Sequence, residues 1–362
     1  MPIPLTGITG YNPVGGSTAA NRGARKTDLQ NKIAQDANLD AKGTLIALRG
    51  HLEGAPRNGF LRLDGSGSGG DVSFSTHSWK GWGKSAKGEV TGAALKALFD
   101  KAGYNTRELE NYLTKTGNNR ISAARVKELI SDAELKNSLK QYRRVQVGDV
   151  EVGGSSRPAG NNLLNGITQD GVLGNIRNAG YGTILSIDDG QETRNIEQAI
   201  QNQGFNHILD ANLTVRDFTT PTYKQMANIH QRIENEADAG RNVLIHCGAG
   251  GGRTGTVLAS LVLRDLVQAE LRNNPQFWQV IDPNLSVSLD YDVNGYKRDF
   301  SYLGVTPLVK QAIDTIRQKD SSEKSVETPE QVAELMKYQY FLTKDNATPD
   351  IRITLASFGM FS

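Results

Sequence analysis

Between residues 44 and 79 apolar and polar positions alternate in short runs: "TLIALRGHL", "GFLRLDG" and "DVSFSTHSW". Period-two alternation bounded by turn-formers predicts short strands. "GSGSGGD" at 65–71 reads as a loop or linker between them. From 91 to 142 the spacing lengthens. Ala94, Leu95, Leu98 and Phe99 share one helical face, "RELENYLTKTG" ends on a glycine stop, and "SAARVKELISDAELKNSLKQY" predicts one or two further helices. Residues 1–45, rich in Gly, Ser, Thr, Asn and Ala, are expected to be unstructured apart from a short helix over 28–36.

From about Arg144 the texture becomes regular. "RRVQVGDVEVGGSSRPAG" predicts a strand and then a loop. "QDGVLGNIRNAGYGTILSIDDG" predicts a helix and a buried strand over 183–187. "NIEQAIQNQGFNHILDANL" predicts another helix and strand, and "TPTYKQMANIHQRIENEADAGR" a long helix. "NVLIHC" is a short apolar strand followed by the apolar helix "TGTVLASLVLRDLVQAELRN". Alternating strands and helices predict an α/β domain with a mostly parallel sheet flanked by helices. In such sheets ligands sit beyond the C-terminal ends of the strands. The expected organisation is a flexible segment 1–45, a smaller mixed α/β region 46–142, a main domain 143–345 and a tail 346–362.

Composition narrows the function classes. Net charge is +2, which argues against nucleic acid or an anionic membrane as partner. No apolar run approaches the ~18 residues of a membrane-spanning helix. The N-terminal stretch lacks the apolar core of a cleavable signal peptide. A single cysteine excludes an internal disulfide and any multi-cysteine metal site, and suits a reducing compartment. His51, His77, Trp79 and Trp82 have no partner at metal-ligand spacing and read as structural or surface residues. No metal and no cofactor is expected.

That cysteine lies in "VLIHCGAGGGRTGTV", 243–257. The order is strand, His246-Cys247, Gly248-Ala249-Gly250-Gly251-Gly252, Arg253-Thr254, helix. Small residues let the backbone curl so that successive N–H groups point inward as an anion nest. The following helix adds its N-terminal dipole, and Arg253 a planar guanidinium suited to phosphate oxygens. A thiol facing that positive concavity is favoured as thiolate, its nucleophilic form. Thr254 is placed to hydrogen-bond the sulfur. Gly250-x-Gly252-x-x-Gly255 also fits the dinucleotide-binding glycine pattern. The acidic residue expected about 20 positions on, at the end of a second strand, is missing, because that region still reads as helix, and no Gly-Lys-Ser/Thr loop is present.

The pattern His-Cys-x5-Arg-Thr-Gly resembles the cysteine-dependent protein tyrosine phosphatase superfamily over about 145–345. The resemblance implies a compact, dual-specificity-like α/β phosphatase domain and a two-step reaction through a thiophosphate on Cys247, with Arg253 and Gly248 to Gly252 binding phosphate. It places a general acid 30–40 residues before the cysteine. "VRDFTTPT" supplies Asp217, 30 residues earlier, with Asp210 as competitor. The Trp-Pro-Asp stretch of the large tyrosine-specific enzymes is absent. Asp188 and Asp189 end a strand at the same sheet edge and read as structural. "GGSSRPAG" with Arg157 resembles the opening of the domain, and "TPEQVAELMKYQYFL" its closing helix. His246 is implied to orient the loop through the backbone, and His207 and His230 are read as scaffold or surface.

No aromatic recognition loop is found; "AGNNLLNGITQ" sits where one would be. That favours a shallow pocket open to phosphoserine, phosphothreonine, phosphotyrosine or ring-borne phosphates. Arg157, Arg216, Lys224, Lys297 and Arg298 are rim cations or ordinary solvated charges, and 288–307 is read as helping to shape the pocket. The front segment resembles bacterial effector phosphatases injected into host cells, of the Xanthomonas outer protein H type. That resemblance implies an inositol polyphosphate (phytate) substrate, a secretion chaperone as partner, and action in host cytoplasm or nucleus. A host phosphoprotein substrate and a non-catalytic phosphate-binding module are the alternatives.

Overall fold

In the computed structural model the described residues are 59–64, 73–78, 89–104, 106–116 and 120–343, except Asp189, Phe218, 294–295 and 320–324, together with Lys42, Gly43, Leu45, Ile46 and Arg49. The expected helix over 28–36, the 346–362 tail, His51, Trp79, Trp82 and the side chain of His77 lie outside them. The chain divides into two compact units, Met1–Glu134 and Leu135–Ser362.

In the first unit β1 (Gly59–Asp64) and β2 (Ser73–Ser78) pair antiparallel, Gly59 opposite Ser78. Of the strand expected over 44–52, the described residues Leu45, Ile46 and Arg49 are helical instead, and the others lie outside the described residues. Leu45 and Arg49, four apart and both buried, lie one helical turn from each other, and so short a stretch satisfies either period. Strands β3 (Glu89–Thr91) and β4 (Arg120–Ser122) pair around α1 (Gly92–Ala102) and α2 (Arg107–Thr116), and α3 (Ala123–Ser138) follows. Leu45, Leu95, Phe99, Leu109, Val126 and Ile130 form the core of this unit.

The second unit is built on a five-stranded sheet in the order β5-β6-β9-β7-β8. Its strands are β5 (Arg143–Val147), β6 (Val150–Ser156), β7 (Tyr181–Ser186), β8 (Asn206–Ile208) and β9 (Asn242–Cys247). The last four run parallel, and β5 is antiparallel to β6. The stretch expected as a loop after β5 is therefore strand β6, joined through Gly148-Asp149. Its glycines, which lower strand propensity, are required by packing. A Cβ at Gly154 would lie 2.5 Å from Leu258 Cδ1 and 2.8 Å from Thr254 Cγ2. Only glycine there lets the helix after β9 cross β6 at that distance.

Among the described residues six helices cover the sheet: α4 (Gln169–Asn178), α5 (Gln191–Asn202), α6 (Tyr223–Asp238), α7 (Gly252–Asn273), α8 (Pro307–Lys319) and α9 (Pro329–Thr343). Alternation along β9 assigns the faces. Val243, Ile245 and Cys247 belong to the core that holds α6 to α9. Leu244 belongs to the core with Ile184, Val172 and Ile196, under α4 and α5. Full burial on both faces explains why β9 reads as a continuous apolar run. His230 joins three helices, Nε2 to Ser260 Oγ at 2.8 Å and Nδ1 to Tyr338 Oη at 2.8 Å; burial pushes its pKa well down.

Between α7 and α8 runs a ribbon of β10 (Asp282–Val293) and β11 (Tyr296–Val305). Val287, Leu289 and Val305 are buried at its base, and Arg317 of α8 donates to the Ser288 carbonyl at 2.6 Å. No helix among the described residues is long and apolar enough to cross a membrane.

Glu236 of α6 ties the helix to the sheet. Its Oε2 accepts from Thr183 Oγ1 (2.6 Å), Asn206 Nδ2 (2.9 Å) and Arg241 Nε (2.7 Å). Burial by itself raises the carboxyl; the bonds from Arg241, Thr183 and Asn206 outweigh it and bring it down to about 2 from 4.5. The unfolded carboxylate binds its proton first on acidification. The stability this group contributes is therefore complete above 4.5 and lost as pH falls toward 2. Glu236→Gln is expected to lower stability by about 2 kcal/mol at neutral pH. It should also flatten the loss of melting temperature between pH 4.5 and the acid limit. Parallel melting curves for the two proteins would contradict this.

Candidate active site

The loop from Cys247 to Arg253 sits at the C-terminal ends of β6, β7 and β9. Register places Ser156 beside Cys247 and Ser186 beside His246. Cys247 is 2% exposed, and its Sγ accepts the Gly250 N–H at 3.2 Å. The loop therefore curls back over the sulfur. Gly250 has φ +88°, and a Cβ there would lie 2.3 Å from Ser156 N, so both conformation and space require glycine. Gly251 caps α7 without a side-chain hydrogen bond, leaving the first-turn N–H groups available to a ligand. Gly252 and Arg253 form the first turn of the helix. Ala249 is exposed, Gly248 half-buried, and Gly250, Gly251 and Gly252 buried.

Arg253 is 7% exposed. Its Nη1 donates to the Val215 carbonyl at 2.9 Å and its Nη2 to Asp217 Oδ1 at 2.5 Å. The loop carrying Asp217 is pinned on either side. Val215 N donates to the Ile187 carbonyl at 2.9 Å. Gln225, the capping-box partner of Thr222 at the start of α6, donates to the Thr214 carbonyl at 2.8 Å. The Asp217 side chain is 65% exposed, so this carboxylate lies at the mouth. Asp210 instead forms a local turn, its Oδ1 accepting Asn212 N at 2.8 Å.

His246 is fully buried. Its Nδ1 lies 3.3 Å from the Cys247 carbonyl and its Nε2 2.7 Å from Ser186 Oγ, which is 2.9 Å from His207 Nε2. A carbonyl only accepts, so Nδ1 carries the proton, Nε2 accepts from Ser186, and Ser186 accepts from His207. Burial drives the His246 pKa down to about 4 against the opposing bond to Cys247. The ring is neutral at physiological pH and serves as a hydrogen-bonded strut.

Three readings of the sequence change here. Thr254 was expected to bond the sulfur. Its Oγ1 is buried with no hydrogen-bond partner among the described residues; its methyl faces Gly154 instead. Arg157 is neither a rim cation nor solvated. It is 8% exposed, donates Nε to Thr193 Oγ1 at 3.1 Å and pairs with Asp188 and Glu192. Asp188, read as merely structural, is at the site. Its Oδ1 lies 3.9 Å from Arg253 Nη1 and accepts the Gly190 N–H at 3.0 Å. Burial raises its carboxyl; Arg157, the Gly190 N–H and the Arg253 charge outweigh this and hold it below the ordinary value. Its position at a strand end on the loop's edge of the sheet was the available signal. Arg216 and Lys224 are exposed. Asp189 and the side chains of Lys297 and Arg298 lie outside the described residues.

Residues missed in the sequence support the loop from outside. Asn162 Nδ2 donates to the Gly248 carbonyl at 3.1 Å, and Arg143 Nη2 to the Gly251 carbonyl at 3.2 Å. Neither belongs to the signature; Arg143 reaches it from β5 and Asn162 from the short turn Gly160–Asn162 that follows β6. The assembled site holds a buried thiol, main-chain donors, a guanidinium and a carboxylate at the mouth. Such a set can bind a phosphoryl group, attack it and exchange a proton with its leaving oxygen. Among the described residues no cluster of His, Cys, Asp and Glu is arranged to hold a metal ion.

A protein-family profile described as Tc-R-P: Polymorphic toxin system, DSP-PTPase phosphatase matches residues 159–266. Among solved structures the chain is similar to Tk-PTP in its active form, with 19% identity over 54% of this chain and 96% of that one, TM-score 0.35. It is also similar to kinase associated phosphatase (16%, 57% and 97%, TM-score 0.37) and to PTPMT1 (15%, 56% and 97%, TM-score 0.34). No curated protein matches the chain. The matched residues 159–266 carry the Cys247 to Arg253 loop and Asp217, so the profile of a DSP-PTPase phosphatase domain falls on the segment that holds the site.

Proposed function

We propose that Cys247, Arg253 and Asp217 carry out a two-step hydrolysis. Cys247 Sγ attacks phosphorus and the phosphorus–oxygen ester bond breaks. Arg253 and the loop N–H groups hold the non-bridging oxygens, and the leaving oxygen takes its proton from Asp217. Water then attacks the thiophosphate, Asp217 receives the water's proton, the sulfur–phosphorus bond breaks and inorganic phosphate leaves. The carrying observation is the Gly250 N–H on Cys247 Sγ inside a loop whose last residue, Arg253, holds Asp217. A phosphoryl group that takes over Nη2 of Arg253 displaces the Asp217 carboxylate toward the leaving oxygen.

For the substrate we infer an inositol polyphosphate such as phytate, attacked inside a host cell by an injected bacterial protein. Support comes from the small-residue loop interior, from exposed Arg216, the chain neighbour of Asp217, and exposed Lys224, and from the matching profile's description as part of a polymorphic toxin system. Arg157, consumed by Asp188 and Glu192, is not counted among the rim cations.

Phosphate release from inositol hexakisphosphate and from phosphotyrosyl and phosphothreonyl peptides, measured without added metal, tests this reading. Release mainly from the inositol supports it. Release mainly from peptides makes the substrate a phosphoprotein, and release from neither favours a binding-only module. Asp217→Ala is expected to lower kcat by ~10²–10⁴ on a poor leaving group and far less on an activated aryl phosphate. Unchanged turnover of the poor leaving group would remove Asp217 from the acid role.

A further inference from the structure

Two carbonyls of the catalytic loop are gripped from its outer side. The Gly248 carbonyl accepts Arg157 N–H at 3.0 Å and Asn162 Nδ2 at 3.1 Å. The Gly251 carbonyl accepts Arg143 Nη2 at 3.2 Å and Gly255 N–H at 2.7 Å. No cis peptide occurs among the described residues, and in a planar trans peptide the following N–H points opposite to the carbonyl. Turning these two carbonyls outward therefore turns the N–H groups of Ala249 and Gly252 away from Asn162 and Arg143.

Arg143 has 0% exposure and is the largest fully buried side chain. Its Nη1 is fixed on the Gln141 carbonyl at 2.5 Å. A Cβ at Gly255 would lie 2.9 Å from its Nη2, so the guanidinium is packed against the first turn of α7. An apolar side chain could fill this volume without desolvating a charge; the guanidinium adds donors aimed at main-chain carbonyls. Arg143 comes from β5, before the matched segment 159–266.

We propose that Arg143 and Asn162 are positioning residues of the phosphatase loop: by holding the Gly251 and Gly248 carbonyls they aim the Gly252 and Ala249 N–H groups at the bound phosphoryl group. This rests on the reading of the loop as a phosphate cradle. Donors held in advance toward an anion need no reorganisation when it binds, and a released peptide rotates and loses that alignment.

The test is protection of Cys247 from iodoacetate alkylation by inorganic phosphate. In the unaltered protein phosphate should slow alkylation; if it does not, the cradle reading itself fails. Given protection there, Asn162→Ala and Arg143→Met should each raise the half-protecting phosphate concentration about tenfold, the loss of one good hydrogen bond to an anion. Arg143→Lys, which keeps one donor, should restore part of it. If Arg143→Met fails to fold by circular dichroism, Asn162→Ala and Arg143→Lys decide. Wild-type half-protection in folded Asn162→Ala, or equal values for folded Arg143→Met and Arg143→Lys, would overturn the proposal. A purely packing role leaves phosphate protection unmoved.

Discussion

Cys247→Ser is expected to lower phosphate release from an aryl phosphate by on the order of 10³-fold or more, with the fold and phosphate binding retained. The Gly250 N–H that now meets the sulfur at 3.2 Å remains to meet an oxygen. Arg253, still held by Val215 and Asp217, remains available to the phosphate. What is lost is the nucleophile, because a serine hydroxyl ionises far less readily than a thiol. The nearest histidine, His246, turns its nitrogens to its own backbone and to Ser186, so it cannot activate the new hydroxyl. Steady-state release by the two proteins checks this. Residual turnover above about a thousandth of the original would mean that the phosphoryl group does not pass through residue 247.

Gly250→Ala should come next in effect. The residue sits at φ +88° and its Cβ would meet Ser156 N at 2.3 Å and Ser155 C at 2.6 Å. Both are backbone atoms of β6, a strand paired with β9 along its length, so they cannot move aside. The loop must shift instead, carrying the Gly250 N–H off the sulfur. Strain of this kind costs about 1–3 kcal/mol, and lost alignment of the cradle should cost ~10²-fold or more in kcat. The combination distinguishes it from Cys247→Ser, which leaves the melting temperature nearly unchanged. A Gly250→Ala protein with wild-type kcat would show that the loop closes without the contact at Ser156.

The two substitutions mark different depths of legibility. His246, Cys247, the small-residue run and Arg253 are contiguous, so local chemistry alone exposes them: a thiol, successive N–H groups and a guanidinium at the junction of a buried strand and an apolar helix. Asp217 is separated from them by 30 residues and was reached through the resemblance; the turn geometry of Asp210 and the contact of Asp217 with Arg253 separate the two carboxylates in space. Thr254 was misplaced because its position on α7 points its methyl at Gly154, a consequence of how closely the helix crosses β6. Leu45, Ile46 and Arg49, expected in a strand, are helical because so short a stretch satisfies the helix and strand periods together.

By itself, the sequence determined the alternation of strands and helices in the second unit, the parallel sheet and the reactive loop. Each depends on residue types within a few positions of one another. The tertiary structure decided what surrounds that loop. Arg157 became a buried partner of Asp188, and Asn162 and Arg143 came to grip the Gly248 and Gly251 carbonyls from outside. Those contacts join residues 31, 86 and 108 positions apart, set by strand order and sheet register. Pairing across that distance is a property of the whole packed sheet, so no local pattern of hydrophobic and polar positions encodes it.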